Sequence, residues 1–170
     1  MRELSRREAI AAGLAGAVAL AVAPAVSAAP KPDPGAALAA LVRAEEDAIF
    51  VYLNAGLSEV GGRLAAQDGQ HARALETHLE ALGLPMPGPT RGRDALGPAA
   101  RAVLAADGGR DRSRAAIAFE QSLIDGCAAR LDQLEEAGIV RTVATVMAGH
   151  AQHQVLHARA AGEDPLSSEA

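Results

Sequence analysis

The chain has 170 residues, of which 49% are hydrophobic and only 2% aromatic, and 21 acidic against 16 basic side chains give it a net charge of −5. An acidic chain with no block of Lys or Arg has nothing to grip a phosphate backbone, which excludes nucleic acid as a partner. Its one cysteine, Cys127, excludes an internal disulfide, so the fold is held by packing alone.

The first 28 residues read as an export signal: Arg2, Arg6 and Arg7, then a long Ala, Gly, Val and Leu run, then small residues at Val26-Ser27-Ala28. A cut after Ala28 is predicted, and Pro30 disfavours a later one. SRREAI carries the arginine pair of a twin-arginine signal, with Ala9-Ile10 in place of the usual Phe-Leu; the twin-arginine route is expected, with general secretion as its competitor. The run is weakly hydrophobic for a permanent span because of its Ala and Gly, so no transmembrane domain is expected in the mature chain, with a single-pass anchor, for which the run is long enough, as the competing reading. The protein is read as exported, whether periplasmic, otherwise extracytoplasmic or secreted. Residues 29–36 form a linker, 37–165 one domain and 166–170 a tail. Without the leader, 142 residues with 13 basic and 19 acidic side chains remain, enough to bury roughly two-thirds of the unfolded surface in a single core.

Beyond the leader the hydrophobic period is helical. From Ala36 to about Gly61 apolar residues recur at Leu38, Leu41, Ala48, Ile49 and Tyr52, and the Gly61-Gly62 pair breaks the helix. Arg63 to Leu82 repeats the pattern with Leu64, Leu75, Leu79 and Leu82, stopping at Gly83 with Pro85 and Pro87 beyond. The Pro- and Gly-dense GLPMPGPTRGRDALG is a long connection, followed by a short helix from Pro98 to Ala106. A third long helix runs from Asp111 or Ser113 to Glu136 with Ile117, Ile124, Leu131 and Leu134 inward, ending at Gly138. The fourth covers about Val140 to Ala161 and closes at Gly162, with Pro165 beyond. No stretch alternates as a strand would, so the class is all-α, most simply a four-helix bundle with one long crossover between helices two and three.

Set side by side, RAEEDAIFVYLNAG and IAFEQSLIDGCAAR align Glu45 with Glu120 and Tyr52 with Cys127, a faint signal of internal duplication. Asp68-Gly-Gln-His71 and His150-Ala-Gln-His153 each put two ligating side chains at i and i+3, on one helix face. Glu45 and Glu120 stand among Leu41, Ile49, Ile117 and Ile124. A carboxylate on an apolar face is costly unless it is paired, protonated or bound to a cation, and the sequence leaves all three open. Glu46 rivals Glu45, but only Glu45 has the +7 spacing to Tyr52 that Glu120 has to Cys127. His157 is expected either behind the site or at the surface, His78 exposed, Tyr52 in a packing role ahead of a hydrogen bond to a site carboxylate, and Cys127 as a small buried hydrophobe. There is no Gly-x-Ser-x-Gly, phosphate-cradling loop or paired-cysteine motif, and so few aromatics argue against a pocket for an organic cofactor.

This arrangement resembles the ferritin-like superfamily, in which helices one and three each supply a Glu and helices two and four each supply Glu-x-x-His to two iron or manganese ions. HARALETHLEALGLPMP and AGHAQHQVLHARAAGEDP are similar to the second and fourth helices of exported bacterial ferritin-like domain proteins. The resemblance implies six metal ligands, Glu45, Asp68, His71, Glu120, His150 and His153, and oxidase, peroxidase or ferroxidase chemistry at iron or manganese. Two positions depart from the pattern: Asp68 is one methylene shorter than the expected Glu, and His150 replaces a carboxylate. Three carboxylates and three imidazoles carry less negative charge than four and two, which disfavours trivalent ion pairs, admits a single ion or an asymmetric pair, and by ligand type also suits zinc, copper or nickel. The competing expectation is a metal-free helical scaffold or interaction module that keeps only the fold. A homodimer along a helix face is the expected self-association, and the sequence names no small-molecule substrate.

Overall fold

The computed structural model describes residues 33–165; the leader, the predicted cut after Ala28 and the tail lie outside the described residues. Among them the class is all-α, with five helices, one 3-10 turn and no strand. Helix α1, Pro34–Asn54, starts where Asp33 accepts a hydrogen bond from the Ala36 amide at 2.9 Å and Pro34 needs no amide partner. Pro34 to Ala36, expected in the linker, therefore belong to the helix. Its inward stripe runs Leu38, Leu41, Val42, Glu45, Ala48, Val51 and Tyr52.

Helix α2, Ser58–Ala81, corrects the first expected break. The chain turns at Gly56, whose φ of +67° is left-handed, while Gly61 and Gly62 lie inside the helix. Gly61 serves close approach instead: a methyl group there would stand 2.7 Å from the Tyr52 carbonyl oxygen. The predicted exit holds, because Gly83 is left-handed at φ +67° and the Leu84 amide bonds back to the Leu79 carbonyl at 3.0 Å. Leu82, expected inward, lies past the last helical turn and is exposed.

The long connection buries Leu96 and is tied to α1 by a 2.5 Å bond from the Thr90 hydroxyl to Asp47. It passes through the 3-10 turn Arg93–Ala95 to α3, Pro98–Ala105, which packs on α4, Gly109–Leu131. Helix α4 stops five residues before the expected Glu136, and α5, Ala137–Ala161, starts before the expected Val140. Gly138 is not a stop, for its φ is not left-handed; it sits in the first turn of α5, where its amide donates to the capping Glu136 side chain at 3.2 Å. Gly162, at φ +74°, is the true stop for α5.

The helices pack chiefly as two sequential pairs, α1 with α2 and α4 with α5, joined by α2 against α5 and α1 against α4. Two apolar clusters result. One gathers Ala48, Val51, Leu64, Val103, Ala116 and Phe119; the other gathers Leu38, Leu41, Val42, Leu75, Leu79, Ile139 and Val143. Along α1 and α2, the residues that separate the two clusters are Glu45, Asp68 and His71. No helix among the described residues is long and apolar enough to cross a membrane.

Candidate metal centre

Each long helix contributes at least one polar side chain to this separating layer: Glu45 from α1, Asp68 and His71 from α2, Glu120 from α4, and His150, His153 and His157 from α5. All are buried. The i, i+3 spacing that puts Asp68 with His71, and His150 with His153, on one face of a helix is what turns both members of each pair inward.

His150 is the hub. Its Nε2 lies 2.9 Å from Glu45 Oε1 and its Nδ1 2.7 Å from Glu120 Oε2, so the doubly protonated ring, the only form with two donors, bridges the two carboxylates. Burial works against that charge, yet hydrogen bonds and charge from Glu120 and Glu45 push the ring up to about 10. Burial would likewise raise Glu120, but hydrogen bonds from His150 and His153 hold it down at about 2; Glu45 is lowered by His150 and His71 against the same opposition. The flanking contacts match: His71 Nδ1 stands 3.2 Å from Glu45 Oε2, and His153 Nδ1 stands 3.2 Å from Glu120 Oε1. On the Glu120 side the network continues, since the Tyr52 hydroxyl donates to Glu120 and His157 Nε2 lies 3.2 Å from the Tyr52 oxygen. The His157 ring stacks on Tyr52 with centroids 5.6 Å apart. Burial, with the Glu120 charge behind it, raises the Tyr52 hydroxyl far above its ordinary range, so it stays a donor.

Asp68 is different. Neither carboxyl oxygen has a hydrogen-bond partner, although the side chain is fully buried. The nearest imidazole nitrogens, His71 Nδ1 and His153 Nδ1, are both 3.7 Å from Oδ1, too long for a bond. Burial, reinforced by the Glu45 and Glu120 charges, pushes Asp68 up to about 9, and it holds a proton at neutral pH. His153 Nε2 is also buried without a partner. Orphaned polar atoms of this kind are rare in folded proteins and point to a missing polar occupant. The donor geometry has room for one: ligand atoms of Glu45, His71 and His150 lie within 4.8 Å of one another, as do those of Asp68, His150 and His153. These buried groups could hold a metal ion.

The structure thus brings all six predicted residues into one interior cluster. Glu46 is half-buried, raised by burial and by the Glu76 and Asp47 charges, and takes no part. Tyr52 takes both of the roles weighed for it: its ring packs in the apolar cluster against Phe119, and its hydroxyl donates to Glu120 of the other helix pair; being the sole tyrosine, on the Glu45 face at +7, was the available signal. His157 is buried behind Tyr52 and not at the surface. His78, expected exposed, is half-buried and bonds Thr142 at 2.9 Å, away from the cluster. Cys127 is buried as expected, and burial together with the Glu45 charge pushes its thiol up to about 12. Gly149 was missed altogether: a methyl group there would stand 2.5 Å from His71 Cε1.

No family model matches the chain, and no curated protein matches it. A solved structure described as a conserved hypothetical protein, rv2844, from Mycobacterium tuberculosis is similar with a TM-score of 0.65 at 17% identity, over 81% of this chain and 96% of that one. At that identity the likeness speaks for the fold alone.

Proposed function

We propose that this is an exported protein of ferritin-like, four-helix-bundle architecture whose interior cluster holds one or two first-row transition-metal ions, iron or manganese. The bound ion supplies redox chemistry toward dioxygen, peroxide or Fe(II). The observation that carries the reading is Asp68: a buried carboxyl group with both oxygens unpartnered, near an unpartnered His153 nitrogen and two imidazole-bearing helices, is what a ligand set looks like before an ion displaces its proton. Glu45, Asp68 and Glu120 would neutralise the charge, and His71, His150 and His153 would complete the coordination. Tyr52 and His157 hold Glu120 in place from behind. Three imidazoles in six ligands favour divalent ions over an oxidised pair. The leader, with its Arg6-Arg7 pair, supports export, and twin-arginine export of folded, loaded protein accords with metal insertion before secretion.

One observation favours a metal-free scaffold instead. The His150 imidazolium already sits between Glu45 and Glu120 at 2.9 and 2.7 Å, hydrogen-bonding both and balancing one of their two charges from within. Elemental analysis separates the readings. Protein purified without a metal-binding tag and reconstituted with Fe(II) or Mn(II) should carry near-stoichiometric metal, lost in the Glu120→Ala, His153→Ala double variant. No bound metal after reconstitution leaves the scaffold.

A further inference from the structure

The cluster is not equally sealed on all sides. Side-chain exposure is 0–2% for Glu45, Asp68, Glu120, His150 and His153, but 11% for His71. His71 lies at a cleft of about 600 Å³ on the α2–α5 seam, whose polar lining is Arg63, Gln67, Gln70 and Thr145. That lining offers hydrogen-bond donors and no carboxylate of its own; its one positive charge, Arg63, pairs with exposed Glu59 at 3.6 Å. Opposite the ring stands Gly149, in the interior of α5, where glycine is disfavoured relative to alanine. The space explains it: a side chain at 149 would begin 2.5 Å from His71 Cε1, 2.8 Å from Nε2 and 3.3 Å from Gln67 Nε2. The outer edge of the imidazole, Cε1 and Nε2, rests against bare backbone.

We infer that the α2–α5 seam at His71 is the port by which small neutral or anionic solutes, of the size of peroxide or azide, reach the interior. The Glu45–His71–His150 donors are then the exchanging half of the centre, and the Asp68–His150–His153 donors the enclosed half. The donor-rich, carboxylate-free mouth selects against bare cations and for solutes that accept hydrogen bonds. Gly149 is a positioning residue, acting through the ring it makes room for. The assignment of exchanging and enclosed halves rests on the metal reading proposed above; the port itself does not.

The test therefore has an arm that needs no metal. In the metal-free full chain, diethyl pyrocarbonate with mass mapping should modify His71 at least about tenfold faster than His150, His153 and His157, with half-buried His78 as internal reference. Gly149→Ala should change the His71 rate, and Ala66→Leu, which fills the cleft from an exposed helical position and spares the core, should slow it about tenfold while leaving His78 unchanged. Equal labelling of His71 and His153, or an Ala66→Leu variant that labels like the parent, overturns the port. In Co(II)-loaded protein, azide should perturb the visible spectrum, more slowly by about tenfold in Ala66→Leu. An azide rate unaffected by Ala66→Leu overturns the port, and failure to take up Co(II) counts against the metal reading while the labelling result still decides the port.

Discussion

The two helix pairs of this protein supply similar side chains to one interior and treat them differently. In α1–α2 the inward set is Glu45, Tyr52, Asp68 and His71; in α4–α5 it is Glu120, Cys127, His150, His153 and His157. Glu120 is bonded by three groups, His150, His153 and Tyr52, whereas Glu45 is bonded by two, His150 and His71. Asp68, the position facing His150 in this quasi-repeat, is bonded by none. The +7 residues cross over: Tyr52 of the first pair reaches Glu120 of the second, and Cys127 of the second lies within the field of Glu45. In the pair with more nitrogen the carboxylate, Glu120, is fully bonded, although His153 Nε2 is left without a partner. The pair with more oxygen carries the unsatisfied carboxyl, Asp68, whose burial without a bond costs stability.

The comparison breaks most severely at Glu120. Glu120→Gln should destabilise the metal-free protein by about 3–5 kcal/mol, because it strands the buried His150 cation and leaves Tyr52 and His153 mispaired, and Glu45→Gln should cost less. Urea unfolding of both variants measures the difference, and equal losses would show the halves to be equivalent. Asp68→Asn should do the reverse, stabilising the metal-free protein by about 2 kcal/mol at pH 8 while lowering metal uptake. The sign follows from the raised acid: the unfolded carboxyl ionises near its ordinary 3.8 and the folded one only at about 9, so its destabilisation grows as pH rises between them. The gain should therefore vanish below about pH 4, as thermal melts across pH would register.

The remaining tests sharpen the picture at smaller scale. Glu120, held down at about 2 from an ordinary 4.5, contributes stability that is present above 4.5 and lost as pH falls toward 2. His150, held up at about 10 from 6.5, contributes stability present below 6.5 and lost as pH rises through 10. Metal uptake runs against that proton and the one on Asp68, so affinity should climb as pH rises toward about 9 and level off only above about 10, with proton release visible by calorimetry in two buffers. Tyr52→Phe should cost about 1–2 kcal/mol through loss of one buried bond to a charged acceptor. Cys127→Ala should cost about 1 kcal/mol through a small cavity, with no change in metal content.

Much of this was legible from the residues. Helical period placed four long helices, and the glycine-then-proline exits at Gly83 and Gly162 located two ends correctly, because a left-handed stop requires glycine and the chain beyond cannot resume a helix. Gly61-Gly62 and Gly138 misled for the converse reason: glycine also serves close approach and first turns, and nothing in its identity separates those uses. Gly61 is explained only by the Tyr52 carbonyl beside it, and Gly149 only by the His71 ring. The six acid and imidazole positions were named from i, i+3 spacing and from carboxylates set among Leu41, Ile49, Ile117 and Ile124, yet of those four only Leu41 is buried, and the inward face of α4 runs through Ala116, Phe119, Leu123 and Cys127 instead of the expected Ile117, Ile124 and Leu131. The partner of each was not legible.

The sequence by itself determined that the chain is helical, that no internal disulfide holds it, and that acids and imidazoles occur on all four long helices; these follow from composition, period and spacing, which are local, whereas the single core it suggested is two apolar clusters parted by the polar layer. Tertiary structure alone decided that His150 bridges Glu45 and Glu120, that Tyr52 crosses to the other pair, and that Asp68 is left without a bond. Those outcomes depend on which faces meet at a given height, and the distances that set a proton's home or a carboxylate's solitude exist only between helices.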